Sequence, residues 1–190
     1  MKTEVPIALS NRHVHLTEEH IALLFGEGYE LTWIKDLSQP HQFACDEKVD
    51  IQGPKGVLKG VRILGPARKA DQVEILASDA FKLGVPVVIR DSGQIDGTPG
   101  CTIIGPKGSV EINQGVIVAS RHIHMSLEEA AEYGVKNDDI VNIEVPGPRG
   151  LVFNHVLVRA SENYALDFHV DTEEGNAAGA KNGMICKLIK

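Results

Sequence analysis

Ser10-Asn11-Arg12-His13-Val14-His15-Leu16 returns later in the chain as Ala119-Ser120-Arg121-His122-Ile123-His124-Met125. Both copies hold an apolar residue between two histidines and an arginine just before them. The apolar runs Ile7-Ala8-Leu9 and Val116-Ile117-Val118 lead in, and Glu18-Glu19 and Glu128-Glu129 follow. In an extended strand, side chains at i and i+2 share a face. Each His-x-His therefore offers two imidazoles to one cation, while Val14 and Ile123 pack on the opposite side. Neutral imidazole is a good ligand for zinc and similar metals. One such motif is a weak signal, compatible with ordinary histidines at a strand end. Here it recurs 109 residues on (122 − 13) and takes four of the eight histidines.

Working outward, Thr17 reads as an N-cap with acids in the first turn, for a helix through Ile21, Leu23, Leu24 and Phe25 that Gly26 and Gly28 end. In the second copy Ser126 caps, Glu129 completes a capping box and Gly134 stops the helix. Tyr29–Ile34 reads as a strand. Gly53-Pro54-Lys55-Gly56 and Gly147-Pro148-Arg149-Gly150, each flanked by alternating apolar residues, predict hairpins, and Gly105-Pro106-Lys107-Gly108 a third. The chain is an internal duplication. The first two hairpins stand 94 apart (147 − 53), so the first copy carries about 15 extra residues around Asp36–Gln42. The expected fold is mainly β: two small β-barrel domains capped by short helices. Their expected limits are 12–119, and 120–190 completed by the N-terminal strand 1–11.

Beyond the hairpins, Val61-Arg62-Ile63-Leu64 pairs best with Val156-Leu157-Val158-Arg159, an offset of 95. The same offset sets Glu74 opposite His169, each in an apolar strand-like context. His13, His15, Glu74, His122, His124 and His169 then form a ligand set of five imidazoles and a carboxylate. That suffices for two cations with open coordination positions, as catalytic sites require. His20, His41 and His155 have no repeat partner and read as structural or surface residues. Arg68, in Gly65-Pro66-Ala67-Arg68-Lys69, could reach an oxyanion at the metals, since guanidinium donates two parallel hydrogen bonds to phosphate. A solvated loop charge is the other reading.

Composition narrows the classes. The 190 residues carry a net charge of −7 with no basic cluster, against non-specific nucleic-acid binding. Cys45, Cys101 and Cys186 are scattered and form no CxxC, which fits a reducing cytosol and inert thiols. No apolar run is long enough to span a bilayer, and the first residues lack a signal-peptide core.

The sequence resembles the PduL-type phosphate acyltransferases (phosphate propanoyltransferases, or phosphotransacylases) over essentially its whole length. The resemblance rests on Ser-Asn-Arg-His-Val-His-Leu, Gly-Pro-Ala-Arg, Ala-Ser-Arg-His-Ile-His and Asp167-Phe168-His169. It implies two linked β-barrels with a dizinc site between them, ligated by the six residues named above. It implies reversible exchange of an acetyl or propanoyl group between coenzyme A and inorganic phosphate. Arg68 would bind phosphate. Ser10, Lys35, Arg62, Leu64, Phe81 and Asn176 would line the coenzyme A groove, where His169 also borders the substrate. Phe81 would stack on adenine, and Lys35 and Arg62 would meet the coenzyme's phosphates.

The resemblance further implies a place in the cytoplasm, free or inside a bacterial microcompartment serving propanediol degradation. Shell proteins and a homo-oligomer are the partners it admits. Microcompartment-targeted members carry an amphipathic N-terminal extension. Only about a dozen residues precede His13 here, and they are not amphipathic, so a free cytosolic role becomes an alternative. A dinuclear metal-dependent hydrolase could use the same ligands on water, and a non-enzymatic module would hold structural zinc. The HxHxDH pattern of the former is absent, and no cysteine joins the cluster as structural sites usually require.

Overall fold

A computed structural model describes residues 1–190. The first half runs β1 (Glu4–Ser10), β2 (His13–His15), α1 (Glu18–Phe25), β3 (Trp33–Asp36), β4 (Phe43–Gln52), β5 (Val57–Gly65), β6 (Gln72–Glu74), α2 (Ala77–Leu83) and β7 (Ile89–Arg90). The second runs β8 (Cys101–Ile104), β9 (Ser109–Ile112), β10 (Val116–Ala119), β11 (His122–Met125), α3 (Leu127–Tyr133), β12 (Ile140–Val145), β13 (Leu151–Ala160), β14 (Asp167–Asp171), α4 (Thr172–Ala178) and β15 (Ile185–Ile189). The protein is mainly β, with short helices. No helix is long and apolar enough to cross a membrane.

The chain divides into two compact units. One comprises Met1–Ser10, Ser38–Pro40 and Ser120–Lys190; the other comprises Asn11–Leu37 and His41–Ala119. The first is a closed barrel with strand order β1-β14-β11-β13-β12-β15. The second is an open, curled sheet ordered β7-β10-β6-β2-β5-β4-β8-β9, with β3 paired to β4. Its six middle strands repeat the barrel's order position for position. Closure differs for a concrete reason. In the barrel the outer strands β1 and β15 pair with each other. In the sheet the corresponding strands β10 and β8 have their outer edges taken by β7 and β9.

Register bears out the duplication residue by residue. His13 faces Glu74 across the β2–β6 ladder, and His122 faces His169 across β11–β14, both antiparallel. Arg62 lies beside His13, as Leu157 lies beside His122, in parallel pairs. Each strand that leads into a His-x-His pairs with the other repeat: β1 with β14, and β10 with β6. The connection from Ser10 to Asn11 thus leaves the barrel unit, and that from Ala119 to Ser120 returns to it.

Alternation of apolar and polar residues builds both cores. Val61 and Ile63 of β5 join Val14, Leu24, Ile51 and Ile103 in the sheet unit. Val141, Ile143 and Val145 of β12 join Ile7, Ile123, Val158 and Phe168 in the barrel. Removing such side chains from water stabilises the fold by about 1.5–3 kcal/mol apiece. The helix caps fall on the predicted residues. The Thr17 hydroxyl accepts from His20 N, Ser126 and Glu129 form a reciprocal box, and Gly26 and Gly134 close α1 and α3. All three Gly-Pro-x-Gly stretches turn between paired antiparallel strands.

The strand expected over Tyr29–Ile34 forms only from Trp33. Ahead of it, Tyr29 Oη and Thr32 N both donate to the buried Glu47 carboxylate, which draws that stretch off the ladder. In the extra segment of the first copy, Gln39 is buried within the barrel unit. Its amide donates to Ala165 O at 2.9 Å and accepts from Ala165 N at 3.2 Å.

Candidate metal centres

Two groups of side chains could each hold a metal ion: His13 with His15 and Glu74 in the sheet unit, and His122 with His124 and His169 in the barrel. Within each group the ligand atoms lie within 4.8 Å of one another. The strand pattern is the cause. Alternation puts the two histidines of a His-x-His on one face, and the antiparallel neighbour supplies the third side chain directly opposite.

The imidazoles are held in defined tautomers. His13 Nδ1 lies 2.8 Å from Asn11 O, and His122 Nδ1 lies 2.8 Å from Ser120 O. A carbonyl only accepts, so each Nδ1 carries a proton, and in the neutral ring Nε2 presents a lone pair to its triad. A backbone acceptor on the far nitrogen is the usual support of a ligating histidine. His15 is buried, and its Nδ1 has no hydrogen-bond partner. The buried His169 Nε2 likewise makes no hydrogen bond. An unsatisfied buried polar atom costs about 1–3 kcal/mol, a cost that a bound cation removes. These donors fit zinc. Each triad supplies three N/O ligands and leaves the fourth position of a tetrahedral ion open.

Charge around the first triad acts in opposite directions on its two histidines. Burial pulls His13 down, but the Glu74 carboxylate and the hydrogen bond to Asn11 more than offset it and leave the group raised. Burial drives His15 well below its ordinary value, and the positive charges of His13 and Arg68 push the same way. His15 is therefore neutral near pH 7 and ready to ligate.

Around these ligands the structure adds residues that the sequence did not single out. Glu74 Oε1 accepts from Gln72 Nε2 at 2.7 Å and from Ser92 Oγ at 3.1 Å, while Oε2 lies 3.3 Å from His13 Nε2. One carboxylate oxygen is thus held by protein donors and the other faces the triad. In the barrel, buried Asp167 places Oδ2 3.3 Å from His169 Nε2. Gln72 and Asp167 stand two residues before the third ligand of each triad. The repeat offset applied to that position is the signal that could have found them.

The other candidates are distributed as follows. Arg68 is half-buried, donates its backbone N–H to Leu16 O at 2.8 Å, and acts electrostatically on both His13 and His15. Lys35 is exposed on β3. Arg62 and Leu64 are half-buried on β5, and the Arg62 guanidinium donates to Cys45 O. Phe81 is 85% exposed on α2, so it is not a core aromatic. Ser10 ends β1 and Asn176 is exposed on α4; these two belong to the barrel unit, the preceding five to the sheet unit. His20 is engaged by Asp71 at 2.5 Å, and His41 and His155 are exposed.

The chain matches the phosphate propanoyltransferase family over residues 6–181. It is 53% identical over 185 residues to a protein of Thermotoga maritima named phosphate propanoyltransferase, covering 97% of this chain and 88% of that one. Proteins of the same name from Listeria monocytogenes and Clostridioides difficile are 46% and 45% identical. Those matches cover 100% and 98% of this chain and 89% of each relative. With two three-ligand groups in matching register and this likeness over nearly its full length, the chain belongs to the phosphate propanoyltransferase family.

Proposed function

We propose that this protein is a phosphate acyltransferase that moves a propanoyl or acetyl group reversibly between coenzyme A and inorganic phosphate, by direct transfer, with one zinc held in each triad. The observation that carries this reading is the repeated three-ligand triad in a chain of that family. When bound, zinc supplies Lewis acidity toward the developing oxyanion and a soft partner for the departing sulfur.

The chain's own side chains do the rest. His13, His15 and Glu74, with His122, His124 and His169, fix the positions at which substrate atoms are held. The Arg68 guanidinium binds phosphate through paired hydrogen bonds and aims one oxygen at the thioester carbonyl. That oxygen bonds to the carbonyl carbon, the carbon–sulfur bond breaks, and coenzyme A leaves with the electron pair. Orientation of this kind supplies about 7–11 kcal/mol of a bimolecular barrier in well-aligned cases. Lys35 and Arg62 meet the coenzyme's phosphates, Phe81 stacks on its adenine, and Ser10, Leu64 and Asn176 line its path.

No acyl-enzyme is required. Burial pushes the Cys45 and Cys186 thiols up to about 11 and Cys101 up to about 12, so none is a ready nucleophile. The reading places the protein in the cytoplasm, free or within a microcompartment, with shell proteins or further copies of itself as partners.

The test is thiol release from propanoyl- and acetyl-coenzyme A by purified protein, with metal analysis of the same sample. Release that requires phosphate and yields acyl phosphate, with two zinc ions per chain, supports the reading. Equal thiol release without phosphate would make the protein a hydrolase instead.

A further inference from the structure

The arginine that precedes each His-x-His has so far no role. Arg12 Nε donates to Asp79 Oδ2 at 2.6 Å, and Arg121 Nε lies 3.0 Å from Glu174 Oε1. Asp79 and Glu174 stand 95 apart (174 − 79), the offset that relates Glu74 to His169. Both acids occupy the third position of the helix that follows the strand of the third ligand. Asp79 Oδ2 also accepts from Leu76 N at 3.1 Å, and Glu174 Oε2 from Asp171 N at 3.1 Å. Leu76 and Asp171 each come two residues after a third ligand.

On the other side, each arginine directly follows or adjoins the carbonyl that fixes its neighbour's ring. Asn11 O, one residue before Arg12, takes the His13 Nδ1 proton, and Ser120 O does the same for His122. Each ion pair thus ties the loop that orients the first ligand to the segment that carries the third. Both arginines are 36% exposed, while Asp79 and Glu174 are 6% and 23% exposed. Arg121 also lies over the Phe153 ring, 5.2 Å from its centre. A surface pair would be worth little. A pair whose acid is buried, as Asp79 is, or half-buried, as Glu174 is, and already engaged by a backbone N–H fixes geometry, because losing either partner leaves the other polar group unmatched.

We propose that Arg12–Asp79 and Arg121–Glu174 are two copies of a strut that sets the ligand geometry, each acting on its own triad. Arg12 and Arg121 are then positioning residues. They hold Asn11 O and Ser120 O in place, so that His13 and His122 keep the tautomer with Nε2 toward the triad. The third ligands Glu74 and His169 are held at the opposite end of the same strut. This rests on the metal reading above. Outer-shell supports of this type usually matter about 10- to 100-fold in metal affinity.

The experiment titrates zinc-loaded protein with a chromophoric chelator. The variants are Arg12→Gln, Asp79→Asn and their double, and Arg121→Gln, Glu174→Gln and theirs. Circular dichroism confirms the fold of each. His13→Ala and His122→Ala identify which release step belongs to which triad. The expected result is that each variant loosens the ion of its own triad about 10- to 100-fold and leaves the other step where it was. Each double variant should be no worse than its singles, as for two residues acting as a unit. Arg12→Lys and Arg121→Lys, which keep the charge but lack the Nε–H, replace any glutamine variant that does not fold.

Release curves matching the parent, or equal loosening of both ions by one variant, overturn the strut. A parent protein that holds no zinc overturns the metal reading itself. That result is distinct from two tightly held ions whose release no variant alters.

Discussion

Arg68 sits where the loop after β5 is pinned to Leu16 O, and its charge reaches both histidines of the first triad. Arg68→Gln keeps a hydrogen-bonding side chain but removes the cation. With charged hydrogen bonds worth about 1.5–3 kcal/mol, its phosphate KM should rise about 10- to 100-fold. The KM for acyl-coenzyme A should change little, and steady-state kinetics with each substrate varied separately checks this. The thiols make the opposite prediction, of inertness. With Cys45 and Cys186 at about 11 and Cys101 at about 12, the reactive thiolate is scarce at pH 8 and grows only as pH approaches those values. Iodoacetamide at pH 8 should therefore leave the native protein unmodified and active, while the unfolded chain takes up three labels by mass spectrometry. The ligand candidates were legible at this scale because the repeat offset selects positions rather than residue types. It finds Glu74 from His169 although the two side chains differ. Gln72 and Asp167 went unread although the repeat offset pairs them, and Ser92 was not legible because no spacing links it to Glu74.

At the scale of single elements, the two long hairpin strands share an irregularity. β5 shifts register against β4 near Gly60, and β13 shifts against β12 near His155, 95 residues on. Gly60 has φ +64 and His155 has φ +57, so both bulges place a residue in the left-handed region. Glycine accepts this region freely, and histidine does so at about 1–2 kcal/mol. A Cβ at Gly60 would approach no atom closer than the Lys48 side chain at 3.9 Å, so Gly60→Ala should cost about 1–2 kcal/mol on backbone grounds alone. His155→Gly should be neutral or stabilising by up to about 1 kcal/mol, because the strain it relieves is partly offset by glycine's greater freedom when unfolded. Urea unfolding of both variants distinguishes the two signs. The caps of α1 and α3 were legible to the residue because caps are local chemistry, whereas α2 and α4 were not read from the sequence. Ser126→Ala, which removes the hydroxyl that accepts from Glu129 N, should cost about 1 kcal/mol by the same measurement. The strand expected at Tyr29 was misread because its competitor, Glu47, is remote in sequence.

For the whole molecule, the duplication fixed which strands neighbour which, but not whether a sheet closes. Closure depends on what occupies the outer edges. β7 and β9 have no counterpart in the barrel's strand order; the third Gly-Pro hairpin announces β9 beside β8, but no periodicity announces β7 beside β10. If both triads hold zinc, the folded state gains RT ln(1 + [Zn]/Kd) per site. Removing metal with a chelator should then lower the melting temperature, and adding zinc back should restore it. Differential scanning calorimetry of loaded, stripped and reloaded protein measures this. Loss of one triad through His13→Ala or His122→Ala should remove only part of the shift.

The pairing of β1 with β14 and β15 has a consequence for how the protein is made. β1 leaves the ribosome well before its partners, which lie among residues 167–189. Until then its edge stands open, while the sheet unit, whose partners lie within residues 11–119, has all its material far earlier. Such long-range pairing slows folding and leaves a nascent chain prone to wrong association. A ribosome stalled before β14 and β15 have been made should therefore display a protease-resistant sheet unit beside a β1 segment that is still cleaved.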